Sequence, residues 1–407
     1  MKWTNKEHEF DERGNYLRGV ETIYLWGAGG RASGYYDRFV WLGIESDLTI
    51  IFVDSNTAKQ GKEYFGKPII SPQQFLKDFR DNGKMVLIIT IGAQQSLYDI
   101  YTKWGFEDNR EIVQGKNCFV STENRTQILR DFFSVFMMYR YGKLLSVIQD
   151  VIATTKCTLN CERCLNYTQF NHHKRNFPIE QLKNDVDILF SKADYVDMLN
   201  ISGGEINLHH GLADLIDHIG KNYRSRIYEF LLIMNGTVIP SESALKKMSE
   251  YKCLVRLDDY RDTVPVCKDR IPKIIALFEE YGINYYVFHV DEWINVSHDS
   301  TINFYMSDEK LIEYYDLCES PCKYIKSGRL YSCNYQAFAV EAGIAKEDDS
   351  DYIYLDKASK MEILEFLLGY SVKGYCNYCK HCSGYFTINR NKIQPARQIG
   401  RIPDEKA

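Results

Sequence analysis

Three cysteines, Cys157, Cys161 and Cys164, stand four and then three residues apart in TTKCTLNCERCLNY (154–167). Thiols at that density have three ordinary uses. Along a helix they would form one stripe of small apolar side chains, but the neighbours Thr158, Asn160, Glu162, Arg163 and Asn166 are polar and argue against burying such a stripe. A closed zinc site takes four ligands, and the nearest further donors, His172 and His173, stand at an unusual distance for one. An iron–sulfur cluster is held well by thiolates on a short loop. Three thiolates on a four-iron cluster leave one iron open to another ligand.

A second set of thiols lies near the C-terminus. CKYIKSGRLYSC carries Cys322 and Cys333, and CNYCKHC carries Cys376, Cys379 and Cys382, with Cys318 just upstream. CxxC spacing serves zinc ribbons and iron–sulfur clusters alike, so spacing alone leaves the metal open. Cys118, Cys253 and Cys267 are isolated and read as ordinary buried or surface residues.

The rest of the chain bounds what these thiols can serve. At 407 residues it is too long for one core and divides into domains. With 26% charged residues, a net charge of −5 and no basic run, it has no electrostatic footprint for nucleic acid. The longest apolar runs, such as MVLIITI (85–91), fall short of the ~20 residues that span a bilayer, and MKWTNKEHEF does not resemble a secretory signal. A cytoplasmic location with neither nucleic-acid nor membrane partners is expected, and in a reducing compartment clustered thiols read as metal or redox groups rather than disulfides.

The pattern is α/β. Residues 1–19 read as a polar extension. Residues 20–125 run strand, glycine turn, helix, strand: TIYLWGAGGRASG, then TIIFVDS, then MVLIITIGA. That is the grammar of a Rossmann-like, doubly wound domain. Gly27, Gly29 and Ala32 satisfy GxGxxG/A, with Gly30 in the same turn and Asp54 placed where a ribose-contacting carboxylate would sit. The glycines could equally make a tight turn that binds nothing. Residues 126–148 read as a helical connector. From 149 to 316 strands and helices alternate in five or six βα units, implying a partial (β/α)6 barrel, and residues 317–407 form a small Cys-rich domain. In such barrels chemistry sits where strands end, and Cys157, Gly203, Asn235, Asp258 and His289 all fall at strand ends.

CTLNCERC, following the first strand of a βα series, resembles the CxxxCxxC signature of the radical S-adenosylmethionine (radical SAM) superfamily. SGGE, Ser202 with Gly203, Gly204 and Glu205, is similar to that family's glycine-glycine-glutamate strand end, and MNGT with Asn235 to its TNG strand end. The resemblance implies a four-iron cluster on Cys157, Cys161 and Cys164. It implies too that S-adenosylmethionine binds the open iron, is held by 202–205 and near Asn235, and is cleaved to a 5′-deoxyadenosyl radical that abstracts hydrogen. Arg163 departs from the aromatic residue usual before the third cysteine, and Arg256 from the serine often found in its strand. The C-terminal thiols resemble the family's auxiliary-cluster extension, of the shorter twitch or SPASM-like kind. That implies one four-iron auxiliary cluster on Cys322, Cys333, Cys376 and either Cys379 or Cys382, with Cys318 spare or a substitute. A flavodoxin- or ferredoxin-type reductant follows from the same resemblance.

YLWGAGGRASG, FVDSN and GKPIISPQQF together resemble the nucleotide-sugar-binding domain of bacterial sugar acyltransferases and glycan-tailoring enzymes. This implies a diphosphate at Gly27–Gly30 and Asp54 near ribose or base. The expected activity is hydrogen abstraction from a small molecule, a sugar or nucleotide-linked sugar, with net oxidation. Asp258, Asp259, Tyr260, His289 and Asp291 are candidate proton acceptors, each also explicable as a structural strand-end residue. Two other readings stand beside it: a maturase of peptide or protein residues, and a non-catalytic iron–sulfur or zinc protein.

Overall fold

The structure, a computed structural model, describes residues 2–3, 11–80, 82–91, 118–120, 128–296, 303–318, 323–385 and 388–400. Two units are distinguished, residues 6–145 and residues 146–407 together with 1–5.

In the first unit, α1 (Asp11–Arg18) precedes β1 (Thr22–Trp26), α2 (Gly30–Trp41), β2 (Thr49–Val53), β3 (Lys67–Ile70), α3 (Pro72–Asp78), β4 (Met85–Ile89) and β5 (Cys118–Val120). The six-stranded sheet has the order Glu63–Tyr64, β3, β2, β1, β4, β5, and all pairs but the first are parallel. The central strands read TIYLW and MVLII because both their faces are covered. Tyr24, Trp26, Val53, Phe75, Phe79, Leu87 and Ile89 make one core. A π-helical turn, Leu129–Ser134, runs into α4 (Val135–Tyr141), which Gly142 ends in the left-handed conformation. Most of the expected extension and connector packs in this unit, where Tyr139 hydrogen-bonds Asp11 and Arg140 reaches the carbonyl of Val20, while residues 1–5 and 146–148 fall in the other.

The second unit is built on β6 (Leu145–Thr154), α5 (Ile179–Lys192), β7 (Tyr195–Gly203), α6 (Leu212–Tyr223), β8 (Ile227–Met234), α7 (Glu242–Glu250), β9 (Leu254–Asp258), α8 (Val266–Tyr281) and β10 (Asn284–Phe288). Helical spacing explains the helices: α5 buries Leu182, Val186, Leu189 and Phe190, and α6 buries Leu212, Leu215, Ile216 and Ile219. β11 (Trp293–Ile294), α9 (Asp308–Leu317), β12 (Lys323–Lys326), β13 (Arg329–Tyr331), α10 (Asn334–Glu341), β14 (Tyr352–Tyr354), α11 (Lys360–Leu367) and β15 (Lys392–Ile393) complete it.

These strands form one eight-stranded sheet of order β10, β9, β8, β7, β6, β12, β13, β14. Among the described residues five consecutive βα strands, not six, lie side by side. The next parallel strand is β12, which joins the far edge of β6, after which the sheet turns antiparallel. The reason lies after β10, where β11 pairs with β15 instead of extending the sheet. β10 is thus left as an exposed edge, with Tyr286 and Val287 turned to solvent.

Candidate functional site

β6 delivers the cysteine loop, which is irregular rather than helical, so the apolar-stripe reading does not hold. Thr154 anchors its start: its hydroxyl accepts from the Lys156 amide (3.0 Å) and bonds Asn176 Oδ1 (2.6 Å). Cys161 is buried, and burial first, then the neighbouring Cys164 thiol, pushes its thiol up to about 12; Cys157 is raised for the same two reasons. Yet N–H groups point at these sulfurs. Leu159 N and Asn235 Nδ2 each lie 3.4 Å from Cys157 Sγ, and Gln398 Nε2 lies 3.2 Å from Cys161 Sγ. Donors aimed at sulfur suit thiolates, and thiolates so buried need a nearby cation, which an iron–sulfur cluster held by these three side chains would supply. His172 and His173 are exposed, and among the described residues no three Cys, His, Asp or Glu side chains gather as around a single metal ion.

The two glycines of SGGE are demanded by packing. A Cβ on Gly203 would lie 2.3 Å from the Thr154 carbonyl oxygen, and one on Gly204 would lie 2.2 Å from that of Lys156 and 2.9 Å from Cys157 Cβ. Backbone contact this close lets the end of β7 seat the cysteine loop: Gly204 N donates to Thr154 O (2.9 Å) and Glu205 N to Lys156 O (2.8 Å). Glu205 is fully buried, and burial pushes its carboxyl up to about 7 against amides that favour the anion. Those amides are Asn207 N (3.0 Å) on one oxygen and Asn235 N (2.9 Å) on the other. Asn235 in turn accepts from Thr237 N (3.0 Å), and the Thr237 hydroxyl bonds Thr158 in the cysteine loop. The ends of β6, β7 and β8 are therefore one polar network around Cys157.

The ends of β9 and β10 carry the proposed proton acceptors. Asp259, Tyr260, His289 and Asp291 line one cavity, together with Gln394 and Pro395. His289 stands between two carboxylates, its Nδ1 3.8 Å from Asp259 Oδ2 and its Nε2 3.4 Å from Asp291 Oδ1. Asp259 is held below the usual carboxylate range by its bond to Arg261. Asp258 lies apart from the cavity lining, buried and bonded to Arg256 Nε (2.7 Å) and Tyr260 Oη (3.1 Å), with burial raising its carboxyl. Arg256, unexpected in the sequence, is thus the partner of Asp258, and its guanidinium stacks 4.1 Å from the centroid of the Phe288 ring. Tyr260 is close enough to Cys161 for their charges to interact.

The family model of the radical SAM superfamily matches residues 151–258, the stretch that holds Cys157, Glu205 and Asn235. Residues 151–258 form a radical SAM domain. A Methanocaldococcus jannaschii protein named for glycyl-radical enzyme activation is 29% identical over 146 residues, which are 33% of this chain and 57% of that protein. The chain thus covers little more than half the length of the curated relative it matches. Among solved structures, native anSMEcpe with bound AdoMet and the Cp18Cys peptide is 24% identical over 36% of this chain and 43% of that one, at a TM-score of 0.29. BtrN in complex with AdoMet and 2-DOIA is 13% identical over 60% of this chain and 94% of that one, at 0.36.

Beyond the radical SAM domain, Cys318, Cys333, Cys376, Cys379 and Cys382 all face one small cavity walled by tyrosines. Cys322 lies outside the described residues. Ser332 Oγ is 3.0 Å from Cys376 Sγ, and Gly384 N donates to Cys382 Sγ (3.3 Å). Asn303 Nδ2 bonds the carbonyls of both Cys379 (3.0 Å) and Cys382 (2.7 Å), fixing the turn that carries them. Burial raises the thiols of Cys376, Cys379 and Cys382, so here too a metal group would supply the positive charge that ionised sulfurs need. The residues suit an auxiliary cluster. Cys118 and Cys253 are buried away from both groups of thiols, whereas Cys267, read from the sequence as isolated, is buried beside the site with its Sγ 3.7 Å from the Asn235 carbonyl oxygen.

In the N-terminal unit Gly27 has φ +107°, and a Cβ there would lie 2.9 Å from Ile91 Cγ1. Gly29 and Gly30 face open space. Asp54 is engaged by the loop itself: Oδ2 accepts from Ala28 N (3.0 Å) and Lys59 Nζ (3.0 Å), and Oδ1 from Asn56 N (2.9 Å). It braces the glycine turn. Lys59, which also bonds the Ala28 carbonyl (2.7 Å), is a cation at that turn the sequence did not single out.

Proposed function

We propose that this chain is a radical SAM enzyme that removes hydrogen from a polyhydroxylated, sugar-like small molecule, free or nucleotide-linked, in a net two-electron oxidation. The reading is carried by the cavity at the ends of β9 and β10, whose lining of Asp259, Tyr260, His289 and Asp291 offers hydrogen bonds to hydroxyl groups and a proton acceptor beside the cysteine loop. When bound, S-adenosylmethionine and its cluster on Cys157, Cys161 and Cys164 supply a carbon radical, and a cluster on the C-terminal thiols supplies an acceptor for the electron left on substrate. The chain's own residues do the rest. Glu205 and the 202–204 backbone orient the methionyl group, and Asn235 holds Cys157 in register. The His289 imidazole, flanked by Asp259 and Asp291, takes the hydroxyl proton as a carbinol carbon becomes a carbonyl. The N-terminal unit, through Gly29, Gly30 and Lys59, is a handle for a diphosphate. A protein residue as substrate is the second reading, favoured by the name of the M. jannaschii relative.

The test is anaerobic: cluster-reconstituted protein, dithionite and S-adenosylmethionine, with UDP-, GDP- and CDP-sugars and free sugars supplied in turn. A sugar that stimulates 5′-deoxyadenosine formation and loses two hydrogens supports the proposal. Stimulation by peptides alone would transfer it to the second reading.

A further inference from the structure

The C-terminal segment 391–400 runs over the radical SAM site. It leaves the β11–β15 pairing, where Trp293 faces Ile393, and lines the cavity with Gln394 and Pro395. At Ala396 it turns with φ +51°, then pairs with the cysteine loop in an antiparallel bridge between Gln398 and Cys161. Glu162 N donates to Arg397 O and Ile399 N to Asn160 O, both at 2.8 Å, and Arg397 forms an ion pair with Glu162. In sheet order the segment joins the loops after the first and fifth βα strands, β6 and β10, across the open end of the sheet.

Within this strap Gln398 is singular. Its Oε1 accepts from Asn160 N (2.8 Å), and that partner, a backbone donor, fixes the amide's orientation. Nε2 is thereby committed as a donor, and it serves Ala396 O (2.7 Å) and Cys161 Sγ (3.2 Å). Anchoring the strap explains the bonds to Asn160 and Ala396 but not why the second N–H is aimed at sulfur. Hydrogen bonds to cluster sulfurs favour the reduced, more negative state and raise the reduction potential.

We propose that Gln398 is a positioning residue of the cluster on Cys157, Cys161 and Cys164, whose N–H bond to Cys161 Sγ raises the potential at which that cluster accepts its electron. This rests on the radical SAM reading of the cysteine loop. Two variants separate electronics from anchoring. Gln398→Leu removes donor and acceptor together without adding charge, whereas Gln398→Glu keeps an acceptor for Asn160 N, loses the donor toward Cys161 Sγ and Ala396 O, and adds a negative charge.

The readouts are iron and sulfide per chain and the midpoint potential, followed by EPR during a dithionite titration without S-adenosylmethionine. The signal is assigned by its absence in a chain with serine at all three loop cysteines. Both variants are expected to retain wild-type iron and to reduce at more negative potential, the glutamate at least as far as the leucine. An unchanged potential in Gln398→Glu overturns the proposal. Loss of iron from both variants also overturns it, because the residue would then serve assembly. A fall in the uncharged leucine variant supports the proposal; if that variant alone fails to load, an unchanged potential in the glutamate still overturns it. Wild-type protein that holds no more iron than the triple-serine chain would instead sink the cluster reading itself, and this inference with it.

Discussion

The hydroxyl of Tyr378 donates to that of Tyr167 across 2.6 Å, with the ring centroids 5.8 Å apart and the rings near perpendicular. Tyr167 follows Cys164 by three residues and turns the loop at φ +51°; Tyr378 lies between Cys376 and Cys379. Both are fully buried, so the contact fixes the two groups of thiols relative to one another. Tyr378→Phe removes one partner from the buried Tyr167 hydroxyl. Stability is expected to fall by about 1 kcal/mol, read as a lower urea midpoint.

Gly204→Ala probes the seating of the cysteine loop. Its methyl would overlap the Lys156 carbonyl and Cys157 Cβ, both held by the end of β7, so relief requires moving the loop. A loss of about 3 kcal/mol and a lower iron content are expected. Wild-type melting together with full iron uptake would show that the glycine is dispensable.

What the sequence made legible was local. CTLNCERC, SGGE and MNGT each occupy a single strand end, so their spacing is preserved by the fold and their meeting follows from parallel strands in sequential order. Asp259, Tyr260, His289 and Asp291 share a cavity for the same reason, since the strands that carry them end side by side. Pairings set by the long path of the chain were not legible. Gln398 reaches Cys161 from 237 residues away, in a stretch, PARQIG, with no pattern of its own. The pairings of β12 with β6 and of β11 with β15 likewise join segments far apart in the chain through only two residue pairs each, which such short strands cannot announce. Asp54 was legible as a strand-end carboxylate, but the neighbours that engage it, Ala28 N and Lys59, become visible only when the turn is folded.

Asp150, buried in β6, has its carboxyl pushed up to about 7 by desolvation, with Ser202 opposing. In the unfolded chain it titrates near the ordinary value, about 3.9. Between these values the folded protein keeps a proton that the unfolded chain releases, so stability falls as pH rises from about 4 to 7 and then levels. Asp150→Asn lacks this contribution. Its urea midpoint is expected to exceed that of the wild type by more at pH 8 than at pH 4.5, the difference amounting to roughly 4 kcal/mol at most. Equal differences at the two pH values would refute the assignment.

His289→Gln keeps a hydrogen-bonding side chain between Asp259 and Asp291 but cannot accept a proton. Oxidised product is expected to fall about 100-fold while 5′-deoxyadenosine continues to form, since the cysteine loop is untouched. Parallel loss of both would place the residue in cofactor binding instead.

The two sets of thiols make separable claims on iron. With a four-iron cluster on each, wild-type protein is expected to hold about eight irons per chain. Serine at Cys157, Cys161 and Cys164 removes about four and abolishes 5′-deoxyadenosine formation. Serine at Cys333 and Cys376, which face the tyrosine-walled cavity, removes a different four and leaves cofactor cleavage uncoupled from product. Cys379 and Cys382 face the same cavity, and their carbonyls share Asn303, so only replacing them singly can tell which sulfur is a ligand. The ligand's serine variant should lose iron, whereas the other should keep it and show only a small stability change. Zinc in place of the second four irons, with no sulfide beyond the first cluster, would assign the C-terminal thiols to a ribbon and remove the electron acceptor from the proposed oxidation.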